Sequence, residues 1–257
     1  MKIDLCLIAS NDLDVFAQPW PLVYQTWKEV CGIEAKLIMI ADKIPEYLEN
    51  MKDTIILFKP IENMHTGFQS QCIRLLYPAL FKNMNIIISD ADIVPAKKEY
   101  FVDSVKDYSD DKFITYRDAY IPQKMYGICY NLANSKTWSE LFSINDENDI
   151  RCTLQKWYTP LYNGKKNCAG WFTDQEMMFK YLQNWSNKDN HVILKDNDLK
   201  FNRLDKRHRN FISSIHKDLI YNIENKIYTD FHFIRPYNKF KNKLLKITNM
   251  INKSNKN

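Results

Sequence analysis

The stretch Ile86-Ile87-Ile88-Ser89-Asp90-Ala91-Asp92-Ile93-Val94-Pro95 runs an apolar strand directly into two carboxylates. Three consecutive isoleucines without polar alternation are the pattern of a strand covered on both faces, as in the parallel sheets of α/β proteins. Pro95 closes the run, because proline has no N–H to give a sheet ladder. An extended chain has a side-chain period of two, so Asp90 and Asp92 are expected on one side and Ala91 on the other. Two like charges so placed, with no basic residue inside the motif, call for a cation. A hard divalent ion held by one or two carboxylates and by substrate phosphates suits them, and ligands of open α/β sheets bind at such carboxyl ends. The same pair could instead cap a following helix or turn. D-x-D alone is a weak motif, and the preceding strand is what favours the metal reading.

Outward from this stretch, the pattern is that of a single α/β domain. Residues 2–12 read as a first strand ending in small and polar residues, residues 21–30 as a helix entered at Pro21 and closed by Gly32, and residues 35–41 and 54–58 as further strands. Residues 67–81 read as a helix with Phe68, Cys72, Leu75, Leu76 and Leu80 on one side, which gives β-α-β-β-α before the central strand at 85–89. Beyond Pro95 strands are expected at 113–116, 125–131, 191–194 and 228–234, and helices at 135–143 and 149–158. Another helix enters at Thr173 or Asp174, with acidic residues in its first turn.

The composition bounds the function. A chain of 257 residues that is 45% apolar and 14% aromatic can build one substantial core. No early segment joins a basic start to an apolar run and a cleavage site, and no window approaches about 18 uninterrupted apolar residues, so a soluble cytoplasmic protein is expected. The six cysteines lie far apart with no C-x-x-C, which points to buried thiols rather than zinc or disulfides. The net charge of +5 belongs to the end of the chain: residues 239–257 carry six lysines and no acid, and removing them leaves residues 1–238 at −1. Nucleic acid is therefore not an expected partner. The basic segment reads either as a solvated end or, through an apolar stripe of Leu244, Ile247 and Ile251 with Leu245 and Met250 alongside, as a peripheral contact with an anionic membrane. No G-x-G-x-x-G occurs, and five glycines hardly provide a phosphate-binding loop. Phosphates must then be held by metal and side chains.

Three further constellations carry chemistry. His232 shares a face with Asp230 and Ile234 in a late strand; it is either a satisfied core histidine or, if that strand reaches Asp90 and Asp92, a nitrogen ligand favouring Mn²⁺ over Mg²⁺. Arg235 would then lie near phosphates, where a guanidinium can take two oxygens. Gln71 and Arg74 share a helical face, and Asp174 and Gln175 follow Trp171, combining hydrogen-bonding groups with an aromatic platform of the kind that sugars require.

With S-D-A-D-I-V-P, W-F-T-D-Q-E and D-F-H-F-I-R-P-Y in that order, residues 1–238 resemble nucleotide-sugar glycosyltransferases of the GT-A type, most of all the small soluble ones of large DNA viruses. The resemblance implies a Rossmann-like nucleotide-binding half on a mixed central sheet flanked by helices, with a basic tail at 239–257. It also implies a UDP-sugar donor, a glycan or other hydroxyl acceptor, and Mn²⁺, with Mg²⁺ as the alternative. By the same resemblance Asp92 and His232 are metal ligands, and Asp90 contacts metal or ribose beside Ala91. Ile8, Ala9, Ser10 and Asn11 line the nucleoside, and Gln71, Arg74 and Arg235 face the donor. Asp174, with Gln175 beside it, is either the base for the acceptor hydroxyl or a partner of the donor sugar. The competing readings are a binding module without turnover and a nucleotidyltransferase, which needs a Gly-rich phosphate loop that this chain lacks.

Overall fold

A computed structural model describes residues 1–208, 210 and 215–256. Strands β1 (Leu5–Asn11), β2 (Glu34–Ile40), β3 (Ile55–Phe58) and β4 (Asn85–Ser89) are followed by β5 (Ile93–Pro95), β6 (Phe113–Thr115) and β7 (Asn131–Asn134). The late strands are β8 (His191–Ile193), β9 (Arg203–Leu204) and β10 (Asp230–His232). The main sheet has the order β3-β2-β1-β4-β7-β6-β8, parallel throughout except for β7, which runs antiparallel to both its neighbours. A smaller sheet, β5-β10-β9, begins where the chain leaves β4 and passes the two aspartates.

The helices fully within the described residues are α1 (Asp14–Ala17), α2 (Trp20–Thr26), α3 (Thr66–Leu76), α4 (Ser135–Phe142), α5 (Glu147–Trp157), α6 (Thr173–Gln183), α7 (Lys217–Glu224) and α8 (Tyr237–Ser254). Alternation along the strands sorts them into layers. Leu5, Leu7 and Ala9 of β1 join Ile86 and Ile88 against α3, α4, α5 and α6. Cys6 and Ile8 join Ile87 on the other face, with Trp20, Val23 and Trp27 and with the apolar side of α8. The three isoleucines of β4 are fully buried because the sheet is covered on both faces. This is a single α/β domain with a mixed seven-stranded sheet flanked by helices.

Several boundaries differ from expectation for local reasons. After α2 the chain widens into a π-helical turn, Trp27–Cys31, before Gly32 ends it at φ +69°. Helix α3 stops at Leu76, because Pro78 lacks an N–H and turns Tyr77–Leu80 into a 3₁₀ segment. Residues 125–130 do not form the expected strand. The Asn131 amide donates to the carbonyls of Gly127 (3.0 Å) and Ile128 (3.3 Å), folding that segment back, and pairing starts only at Asn131. The late strand is cut to Asp230–His232 and belongs to the small sheet.

The largest departure is at the C-terminal end. Helix α8 crosses the expected boundary at residue 238 and buries Phe240, Leu244, Ile247 and Ile251 in the same core as Trp20 and Trp27. The stripe read as membrane-facing is therefore part of the interior: in this packing Leu244, Ile247 and Ile251 cannot meet a lipid surface. Among the described residues no helix is long and apolar enough to cross a membrane. Cys6, Cys31, Cys72 and Cys129 are buried thiols, whereas Cys152 is exposed.

Candidate active site

Five elements end around one pocket of about 310 Å³. The end of β1 brings Ala9, Ser10 and Asn11, and the turn after β4 brings Asp90, Ala91 and Asp92. Helix α3 presents Gly67, Ser70, Gln71 and Arg74, spaced as one stripe of a 3.6-residue period, while Phe68, Cys72 and Leu75 face the core. The first turn of α6 supplies Asp174 and Gln175, and β10 with the segment after it supplies His232 and Arg235. The register of β10 against β5 sets His232 opposite Ile93, next door to Asp92, and the Phe233 N–H donates to the Asp92 carbonyl at 2.8 Å.

Of the residues proposed from sequence, Ile8 alone stays outside the pocket. Its position in β1 turns it to the far face of the sheet, where it is fully buried in the core, so it does not line a nucleoside site.

Asp90 and Asp92 do not act as an extended pair. Pairing stops at Ser89, and the Ile93 N–H reaches back to the Asp90 carbonyl at 3.4 Å, so the chain turns between them and the carboxylates diverge. Asp90 pairs with the Arg74 guanidinium, whose other arm reaches Asp174 at 2.9 Å. The Arg74 Nε donates to the Gln71 carbonyl at 3.1 Å. Asp92 faces the other way, meeting His232 Nε2 at 3.0 Å and the guanidinium of Arg235. The counter-charge absent from the motif thus comes from two distant arginines.

The electrostatics follow from these contacts. Burial opposes charge on Asp92, but His232 and Arg235 outweigh it and hold the carboxyl well below the ordinary range. Burial likewise opposes charge on His232, and Asp92 overcomes it, raising the imidazole above its usual value. Asp174 is only 3% exposed, and burial pushes its carboxyl up against the opposing pull of Arg74. Asp174 is not a helix cap: the cap position is Phe172, and Asp174 Oδ1 accepts from the Gln175 N–H at 2.9 Å while Oδ2 accepts from Arg74.

Among the described residues no three His, Cys, Asp or Glu side chains converge as a ready-made metal cage; Asp90 is engaged by Arg74, and Asp92 lies beside His232. Asp92 and His232 bring one oxygen and one nitrogen donor side by side, 3.0 Å apart in the hydrogen bond they make to each other, a donor set whose chemistry suits a divalent ion.

Sequence reasoning missed several wall residues: Leu13, Phe16, His65, Ile128, Tyr162 and Gly164. His65 caps α3, its Nδ1 accepting the Gly67 N–H at 3.0 Å, which leaves the proton of the neutral ring on Nε2. A Cβ on Gly164 would lie 2.9 Å from that Nε2, so two of the chain's few glycines frame one imidazole; glycine scarcity was the available signal. Tyr162 donates to Gln71 Oε1 at 2.7 Å and lies parallel to Trp171, with centroids 6.4 Å apart. Arg235 packs over the ring of Phe16 at 4.5 Å. Asn11 is 1% exposed; its amide nitrogen donates to Thr66 Oγ1 at 3.2 Å, and its Oδ1 has no protein partner.

The sequence matches no protein-family model and no curated protein. Its fold is similar to that of the apo-form glycosyltransferase GlyE of Streptococcus pneumoniae TIGR4, with a TM-score of 0.52 at 13% identity. A second structure of glycosyltransferase GlyE from the same strain gives 0.51 at 12%. In both, 98% of this chain is covered, and the chain spans 63% of the length of the structure it matches. At such identity the likeness is one of fold.

Proposed function

We propose that the protein is a metal-dependent glycosyltransferase of the GT-A type, moving a sugar from a UDP-sugar to a hydroxyl acceptor such as a glycan. The observation that carries this reading is the meeting, at the carboxyl ends of β1 and β4, of Asp92 with His232 and Arg235 in the same pocket as Asp174 and Gln175. The fold shared with solved glycosyltransferases supports it.

Each residue then has a task. The buried, unpartnered Asn11 Oδ1 suits an N–H or hydroxyl of the nucleoside, because a buried acceptor without a donor is costly. Exposed Arg235 can turn its guanidinium to two phosphate oxygens. Arg74 cannot, since its arms are taken by Asp90 and Asp174; it positions both carboxylates. Three carboxylates and two guanidiniums leave the pocket with no surplus positive charge for a diphosphate. A divalent ion held by Asp92 and His232, Mn²⁺ ahead of Mg²⁺ because one ligand is nitrogen, would supply that charge and stabilise the departing diphosphate.

Breaking the anomeric C–O bond builds negative charge on that leaving group, and Arg235 would stabilise that charge more strongly as the bond lengthens. The engagement of both Asp174 oxygens favours a role as acceptor for donor-sugar hydroxyls over a role as general base, with the Gln175 amide beside it. The test is a screen of UDP- and GDP-sugars for slow hydrolysis. Release of UDP that requires Mn²⁺ and stops on chelation is expected, and hydrolysis indifferent to both metal and nucleotide would reject the reading.

A further inference from the structure

Helix α8 is bound to the body by one face and leaves the other uncovered. Its outward residues include Lys239, Lys241, Lys246 and Lys253, and no acid occurs anywhere in the helix. Lys241, Lys246 and Lys253 have no acidic partner among the described residues, whereas Lys256 is paired with Glu29 at 3.1 Å. In the middle of this face Asn242, Leu245, Lys246, Asn249, Met250 and Lys253 surround a shallow depression, and Leu245 is 40% exposed. At the far end Asn255 donates to the Ala96 carbonyl at 3.0 Å, the residue before Lys97 and Lys98 in the chain. The near end begins at Tyr237, two residues from Arg235 at the pocket.

We propose that this face docks the protein on an anionic lipid surface. Charge complementarity selects the occupant: a body of net −1 carries a concentrated row of lysines at one edge, and anionic headgroups attract such rows. Lysines around exposed Leu245 and Met250 suit the boundary between headgroups and acyl chains. The outward face has no arginine to read base edges and no aromatic ring on which bases could stack, which disfavours nucleic acid. Because the helix is held by Leu244, Ile247 and Ile251, its lysines are presented in order before contact, and docking needs no refolding.

Sedimentation of the full chain with phosphatidylcholine vesicles, with and without phosphatidylserine, tests this. Binding is expected only to the anionic vesicles and should fade with added salt. K241E/K246E/K253E should weaken it about a hundredfold or more, at roughly fivefold for each lysine lost, without moving the melting temperature, since these side chains touch nothing in the core. Equal sedimentation with neutral vesicles, or an unaltered affinity of the triple variant, overturns the proposal. So does tighter binding to duplex DNA than to anionic vesicles at the same salt.

Discussion

At the scale of single residues, the pocket is governed by how each charge is paired. Arg74 lies between two carboxylates and is only 7% exposed, so its removal strands the buried Asp174 and the half-buried Asp90. Arg74→Ala is expected to cost about 3–5 kcal/mol in urea unfolding. Arg74→Lys should restore little, because an ammonium cannot fork between Asp90 and Asp174 as a guanidinium does. His191 behaves differently: burial alone lowers its imidazole to about 4, and its Nε2 meets Thr115 Oγ1 at 3.0 Å. The unfolded imidazole titrates near 6.5, so the unfolded state binds the proton first. Stability from this residue is thus complete above about pH 6.5 and falls toward pH 4, by up to about 1.4 kcal/mol per pH unit. His191→Gln should flatten that part of the stability profile, as followed by urea midpoints at pH 7 and pH 5. A slope identical to that of the parent chain would show that His191 is not its source.

At the scale of elements, what the sequence revealed depended on local chemistry. β4 and the close of the first helical stretch at Gly32 were legible because an unbroken apolar run and a glycine, free to take positive φ, leave local marks. The segment 125–130 was not, because its apolar residues satisfy a strand pattern while a single side chain, Asn131, folds them back. The Asp90-Ala91-Asp92 geometry was half legible. Placing both aspartates at a strand's end was sound, but period-two reasoning fails once the chain turns, and nothing near residue 90 announces Arg74 or Arg235 as their partners. The stripe of Leu244, Ile247 and Ile251 was visible in the sequence, but its spacing suits a core as well as a lipid surface, and only the folded chain shows it against Trp20 and Trp27. Leu244 is fully buried on that stripe, so Leu244→Ala is expected to cost about 2–5 kcal/mol in thermal or urea unfolding. A cost below about 0.5 kcal/mol, the range of exposed positions, would mean that α8 is not part of the core in solution.

At the scale of the whole molecule, the two apolar cores on either side of the main sheet hold β1, β4, α3 and α6 so that their ends converge, while the small sheet carries His232 and Arg235 to the same point from the far end of the chain. The pocket is thereby assembled from residues as far apart as Ala9 and Arg235, and its chemistry exists only in the folded chain. Its central prediction is that nucleotide diphosphate and divalent metal bind together through Asp92. Calorimetric titration of UDP into the intact protein, with Mn²⁺ and with chelator, and into Asp92→Ala under the same conditions, measures this most directly. Mn²⁺ is expected to tighten UDP binding about tenfold or more in the parent chain and not at all in Asp92→Ala, a difference of about 1.4 kcal/mol or greater. UDP affinity that is the same with and without Mn²⁺, or an Asp92→Ala variant that keeps the full metal effect, would contradict it.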